Sequence, residues 1–273
     1  MIPAPFDYVR VGSLDEAISA LVEHGEDAKL LAGGHSLLPL MKLRLATPSV
    51  LIDIGPVREL SYVVDAGDHV AIGALTRHHD LHHDPVAVSQ VPLLSMVAGK
   101  IGDPQVRHRG TIGGSLTHAD PASDLPAAVL ALGGTLVARG PAGERQIPAD
   151  AFFSGFLESA LAPDEVLTEI RVPKAVGGHA YQKFVRRAQD WAIVGSVVAR
   201  VGDRVGVALV NMGPTPLRAL AVEQALAEGA SAAEAAERAA EGLEPPSDNN
   251  ATAEFRRHLA RVLTRRALAE AGV

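Results

Sequence analysis

Apolar residues at Leu14, Ala17, Ile18, Leu21 and Val22 recur at the spacing of one helix face, opened by Ser13-Leu14-Asp15-Glu16 and closed by Gly25. A serine with a glutamate three residues on is a capping box, so the pattern predicts an amphipathic helix there. Lys29-Leu30-Leu31-Ala32 is short, apolar and followed by paired glycines, which predicts a buried strand, and Val50-Leu51-Ile52-Asp53-Ile54 predicts another. Val63-Val64 and Val70-Ala71-Ile72 flank the turn residues Asp65-Ala66-Gly67-Asp68, and Thr135-Leu136-Val137 runs into Gly140-Pro141-Ala142-Gly143, so two hairpins are expected. Between them lie two apolar helices, around 91–101 and 122–132. The expected class is a mixed α+β fold without regular βαβ alternation.

A strand-like run from Val166 to Val172 ends in the Pro- and Gly-rich stretch Pro173 to Gly178, where a domain boundary is expected. Beyond it, 179–187, 192–201 and 204–212 read as an antiparallel meander. A second capping box opens at Ser231, and a helix of about twenty residues is expected from Thr252, after the loop Glu244-Pro245-Pro246-Ser247-Asp248-Asn249-Asn250. In that helix Phe255, Leu259, Val262 and Leu263 form the apolar side, and Arg256, Arg257, Arg261, Arg265 and Arg266 the charged one.

Composition narrows the function. The chain has 273 residues, 47% of them hydrophobic, enough for one large domain or two modest ones. Its net charge of −7 with interspersed signs leaves no extended basic face for nucleic acid. No apolar run approaches the ~18 residues of a membrane span, and the first residues lack a basic stretch followed by an apolar one, so a cytoplasmic protein is expected. With no cysteine, disulfides, thiolate nucleophiles and cysteine-ligated clusters are excluded from this chain.

Two glycine turns carry the candidate chemistry: Ala32-Gly33-Gly34-His35-Ser36, preceded by Leu31 and followed by Leu37, and, about eighty residues later, Thr111-Ile112-Gly113-Gly114-Ser115. Glycine lets the main chain approach a ligand closely, and consecutive N–H groups form an anion-binding concavity. Either turn alone is ordinary loop punctuation; as a pair they suggest a diphosphate held from two sides. Neither is a P-loop, and no segment carries the Rossmann fingerprint. Asp124, at the start of an expected helix, reads equally as a charge complementing the helix dipole or as an acceptor for a ligand hydroxyl. His78, His79, His82 and His83 form two i, i+4 pairs, a spacing compatible with zinc, but without an evident third ligand they read as a solvated helix face.

Four ordered segments closely resemble the FAD-binding medium subunit of the molybdenum hydroxylases, the group of aerobic carbon monoxide, nicotine and xanthine dehydrogenases. They are Leu30 to Pro39, Ile101-Gly102 with Gln105 to Ser115, Asp120-Pro121-Ala122-Ser123-Asp124, and Lys183-Phe184-Val185-Arg186-Arg187. The resemblance implies an FAD-binding region of the vanillyl-alcohol-oxidase (PCMH) type over 1–175, with subdomains of about 1–55 and 56–175, and a C-terminal antiparallel sheet with helices over 176–273. It implies that both glycine turns bind the FAD diphosphate, that Asp124 bonds a cofactor hydroxyl, that Ile101 and Leu167 line apolar parts of the cofactor, and that Lys183 lies near the flavin. FAD is noncovalent in this family, although His35 stands in a Gly-Gly-His context like that through which some oxidases of the wider fold attach flavin. Trp191, where carbon monoxide dehydrogenase flavoproteins look to have tyrosine beside the flavin, reads either as a core tryptophan at a strand-to-strand turn or as a flavin-face neighbour.

By the same resemblance the function is electron transfer. A small partner with [2Fe-2S] clusters and a large partner with the molybdenum cofactor complete a heterotrimer, arranged as a dimer of heterotrimers, and FAD in this chain passes electrons to an external acceptor. No side chain is expected to act as a catalytic acid or base. The rivals are a self-sufficient flavin oxidase or reductase of the same fold, against which the short chain argues, and a flavin-free scaffold, against which the glycine turns and Asp124 argue.

Overall fold

The structure, a computed structural model, describes residues 2–273. Its first element, the strand Asp7–Arg10, has no counterpart in the sequence reading. It pairs in parallel with one edge of Val50–Asp53, whose other edge pairs in parallel with Ala28–Leu31. The helices Leu14–His24 and Leu37–Leu43 make the crossovers, so this stretch does alternate β-α-β-α-β. The expectation of no such alternation fails here because the first strand is largely exposed and gives no apolar signal. Ser13 caps the first helix as predicted, accepting from the Glu16 amide at 3.2 Å, and Gly25 ends it at φ 57°. Of its apolar positions, Val22 alone is exposed.

Both predicted hairpins form, Val63–Asp65 with His69–Gly73 and Thr135–Gly140 with Gly143–Pro148. They are joined by Val166–Pro173, which pairs antiparallel with His69–Gly73 on one side and Thr135–Gly140 on the other. The central strand of this five-stranded sheet thus comes from about a hundred residues further along the chain than the first hairpin.

The expected meander is present as His179–Phe184, Val194–Val201 and Arg204–Val210, extended by the short strand Leu217–Arg218. Its two central strands, Val194–Val201 and Arg204–Val210, are mostly apolar because both faces are covered. Val197, Ala199, Ala208 and Val210 pack with the helix Asp124–Leu132 into the central core. On the other side, Val194 and Val198 face the C-terminal helix Ala253–Glu270, and Val207 and Leu209 face the helix Leu220–Ala227. The alternation along each strand is what a sheet sandwiched between two helical layers requires.

The C-terminal helix corrects one reading. Arg256 is fully buried, whereas Phe255, placed on the apolar side, is 42% exposed. The Arg256 guanidinium reaches Asp248 Oδ2 at 2.7 Å and donates to the Ile193 carbonyl, tying the preceding loop to the entry of a central strand. A buried, hydrogen-bonded arginine breaks the usual pattern because its partners come from distant sequence.

Candidate functional site

A cleft of about 510 Å³ opens where the first glycine turn, the helix Ile112–His118, the N-terminus of Asp124–Leu132 and the end of His179–Phe184 converge. Every predicted site residue lines it except one. Ile112 is the exception: its side chain is fully buried in the central core and its amide donates to the Thr76 carbonyl at 3.0 Å. It is corrected from ligand-binding residue to core residue.

The two glycine segments differ in what they offer. In the first, the carbonyls of Gly34 and Ser36 accept from Leu38 and Leu40 as the next helix begins. Among the described residues, the N–H groups of Gly33, Gly34, His35 and Ser36 meet no acceptor in the chain. Gly34, at φ 78°, takes the left-handed conformation at this turn, and all four residues line the cleft. Four adjacent unpartnered N–H groups at a cavity wall are the arrangement that holds an anion.

The Thr111 to Ser115 segment has spent all its amide donors but that of Thr111. The Gly113 amide donates to Ala74 O at 2.8 Å, the Gly114 amide to Thr111 Oγ1 at 3.1 Å and the Ser115 amide to Thr111 O at 3.0 Å. Gly113 is glycine because a Cβ there would lie 2.6 Å from both Cβ and O of Ala74. The reason is packing of helix against strand, not room for a ligand. This wall contributes the surface of Gly114 and the Ser115 side chain, close under a capped helix start.

Asp124 resolves differently from either alternative taken alone. It opens the helix Asp124–Leu132, as the dipole reading requires, and it also lines the cleft at 6% exposure. Its Oδ2 accepts from Lys183 Nζ at 2.7 Å, and its Oδ1 accepts from the Tyr181 hydroxyl. Both partners sit two residues apart on one strand, and so point to the same face. Lys100 Nζ donates to the Tyr181 carbonyl at 2.8 Å, bracing that strand from below. Burial raises the Asp124 carboxyl above its usual range, with the Lys183 ammonium pulling the other way. The same burial, aided by Asp124, pushes the Tyr181 phenol up. A carboxylate has about four lone-pair sites, so Asp124 keeps capacity for a ligand hydroxyl after serving both partners.

His78 is the site residue that sequence reasoning missed. Assigned to a solvated face, it is 5% exposed and lines the cleft, with Nδ1 buried and without a partner. The available signal was Leu81, three residues on and fully buried, which marks the face that turns inward. Burial, then the positive charge His35 would carry, lowers the His78 pKa to about 4 from 6.5. The folded protein therefore binds fewer protons than the unfolded chain between these values, so stability from this group is complete above about pH 6.5 and is lost as pH falls towards 4. At pH ~4.5 the loss is on the order of 2–3 kcal/mol relative to neutral pH. His78→Gln should abolish that component, measured as the difference in urea unfolding free energy between the two pH values; an unchanged difference would show that His78 does not titrate this way.

Trp191 is 60% exposed at the cleft mouth, so the core alternative is overturned.

These features, a donor-lined turn facing a buried carboxylate across an apolar-walled cleft, set the context for comparison with known proteins. The chain belongs to the family of FAD-binding medium subunits of the molybdenum hydroxylases, which are oxidoreductases. Residues 4–175 match the family described as FAD binding domain in molybdopterin dehydrogenase, and 179–271 match the CO dehydrogenase flavoprotein C-terminal domain. The carbon monoxide dehydrogenase medium chain of Hydrogenophaga pseudoflava is 43% identical over 98% of this chain and 97% of its own. A solved carbon monoxide dehydrogenase from that organism superimposes with a TM-score of 0.95 at 44% identity, covering 100% of this chain and 99% of the other. The caffeine dehydrogenase subunit beta of a Pseudomonas species is 37% identical over 99% of this chain and 96% of its own.

Proposed function

We propose that this chain holds FAD noncovalently in the cleft and passes electrons, received from the [2Fe-2S] clusters of a small partner subunit, to an external acceptor. A large partner carrying the molybdenum cofactor oxidises the substrate, and the assembly is a dimer of heterotrimers. The observation that carries this reading is the row of unpartnered N–H groups from Gly33 to Ser36, set across the cleft from the buried Asp124. When bound, FAD supplies the interchange between one-electron and two-electron transfer.

The chain's own residues have separate tasks. The first glycine turn receives the diphosphate, with Ser115 and Gly114 closing the opposite wall. Asp124, held in place by Lys183 and Tyr181, accepts from a cofactor hydroxyl. Leu31, Leu37, Ile101 and Leu167 cover apolar surface, and Trp191 guards the mouth beside the flavin. The region 1–175, with subdomains of about 1–55 and 56–175, forms the PCMH-type cofactor-binding domain, and 176–273 the C-terminal domain. Separate sheets in the two parts of the first region support that division. No helix among the described residues is long and apolar enough to cross a membrane, and we place the protein in the cytoplasm.

High similarity to subunits from enzymes named for carbon monoxide and for caffeine supports assigning substrate choice to another chain. Purified alone and supplied with FAD, the protein should retain about one flavin through gel filtration and release it intact on heating. It should remain oxidised with organic substrates until both partners are added. Reduction of its flavin by substrate without partners would establish the self-sufficient rival.

A further inference from the structure

Beside the cleft lies a second cavity, of about 450 Å³, that shares Asp190 and Trp191 with it. The volume is within the range of small-molecule sites. Three arginines reach this cavity, Arg186, Arg187 and Arg256, against two carboxylates, Asp190 and Asp248. Each carboxylate is already matched. Arg187 Nε lies 3.1 Å from Asp190 Oδ2, and Arg256 holds Asp248 at 2.7 Å from beneath. Arg186 makes no ion pair or hydrogen bond among the described residues. The cavity therefore carries one uncompensated positive charge in a chain whose net charge is −7.

Two further features shape its walls. Arg256 is fully buried, and its Nε has no acceptor although both terminal nitrogens are engaged. A buried guanidinium N–H without a partner is costly, and with no accessible surface it lies behind the cavity wall. Gln189, in the cleft lining just before the shared Asp190 and Trp191, has φ 69°, and Asn211 Nδ2 donates to the Ala192 carbonyl at 2.8 Å beyond them. Positive φ in a non-glycine residue persists only where surrounding contacts hold it, and such residues cluster at binding sites.

We propose that this cavity is a second ligand site, taking a small organic anion whose phosphate or carboxylate group pairs with Arg186. Asn250 stands at the same wall with an amide free to donate to it. Because Trp191 and Asp190 belong to both cavities, occupancy of one alters the surroundings of the other. An anion there changes the environment at the mouth of the cleft without entering it. The site itself does not depend on the FAD reading; only the consequence for the flavin does.

Trp191 is the only tryptophan, so the site contains its own reporter. Protein saturated with FAD is titrated with inorganic pyrophosphate, with malonate, and with sodium chloride at matched ionic strength, followed by Trp191 emission and by calorimetry. A saturable response to pyrophosphate alone assigns a phosphate ligand, and one to malonate alone a carboxylate; both support the site. Arg186→Gln should weaken binding on the order of tenfold, the loss of one charged hydrogen bond, while Arg266→Gln on the C-terminal helix leaves it unchanged. Visible absorbance reports flavin content throughout, so loss of flavin is scored separately as failure of the cofactor assignment. The proposal is overturned if neither method detects saturable binding, if sodium chloride reproduces the response, if Arg186→Gln binds as tightly as the parent, or if binding occurs only when FAD is absent.

Discussion

Lys183→Met is expected to lower the thermal midpoint by on the order of 10 °C and to empty the cleft of flavin. Lys183 and Asp124 have side chains only 11% and 5% exposed, so the substitution leaves a carboxylate buried without its counter-ion. Breaking a buried pair by removing one partner typically costs about 3–5 kcal/mol, and each kcal/mol moves the midpoint of a domain of this size by roughly 2–4 °C. Burial already outweighs Lys183 in setting the Asp124 pKa, so loss of the ammonium raises that pKa further. Without Lys183, Asp124 also loses the partner that holds it in place to accept from a cofactor hydroxyl. Adding Asp124→Asn to Lys183→Met removes the unpaired charge and should restore much of the stability while leaving flavin affinity low. If the double variant were no more stable than the single one, the ion pair would not be the source of the loss. The comparison therefore separates folding from binding, read by calorimetry and by flavin retention.

Gly33→Val should abolish flavin retention. A Cβ at this position would lie 2.3 Å from Arg109 O and 2.9 Å from Gly110 Cα, both backbone atoms that cannot rotate aside. The turn must then move off the 109–110 segment, and the free N–H groups move with it. Those groups donate to no acceptor in the chain, so the expected loss is mainly of binding, with flavin content near zero and secondary structure by circular dichroism near that of the parent. Gly113→Val, by contrast, drives the helix Ile112–His118 off Ala74 and should unfold the central core. Undiminished flavin in Gly33→Val would show that the first turn is not the diphosphate site.

Much of this site was legible in the sequence because its parts are local. Paired glycines after an apolar strand mark a close approach of backbone, and that signal placed both walls of the cleft. It did not say which wall has free donors. Whether an N–H is available depends on acceptors such as Ala74 and Thr76, which belong to a strand end far away in the chain. Asp124 was equally ambiguous for the same reason: its helix-start position is local, but Lys183 and Tyr181 arrive from the C-terminal sheet.

The sequence by itself determined the capped first and last helices, the apolar helices near 91–101 and 122–132, the hairpins, the meander and the two glycine segments, since capping, periodicity and turn chemistry act over a few residues. Only the tertiary structure decided that Arg256 is buried and Phe255 exposed, that His78 faces the cleft and Ile112 does not, and that the Gly33 to Ser36 amides remain free. Each of these depends on burial or pairing with residues distant along the chain. Packing sets that burial, and one-dimensional patterns record only its average.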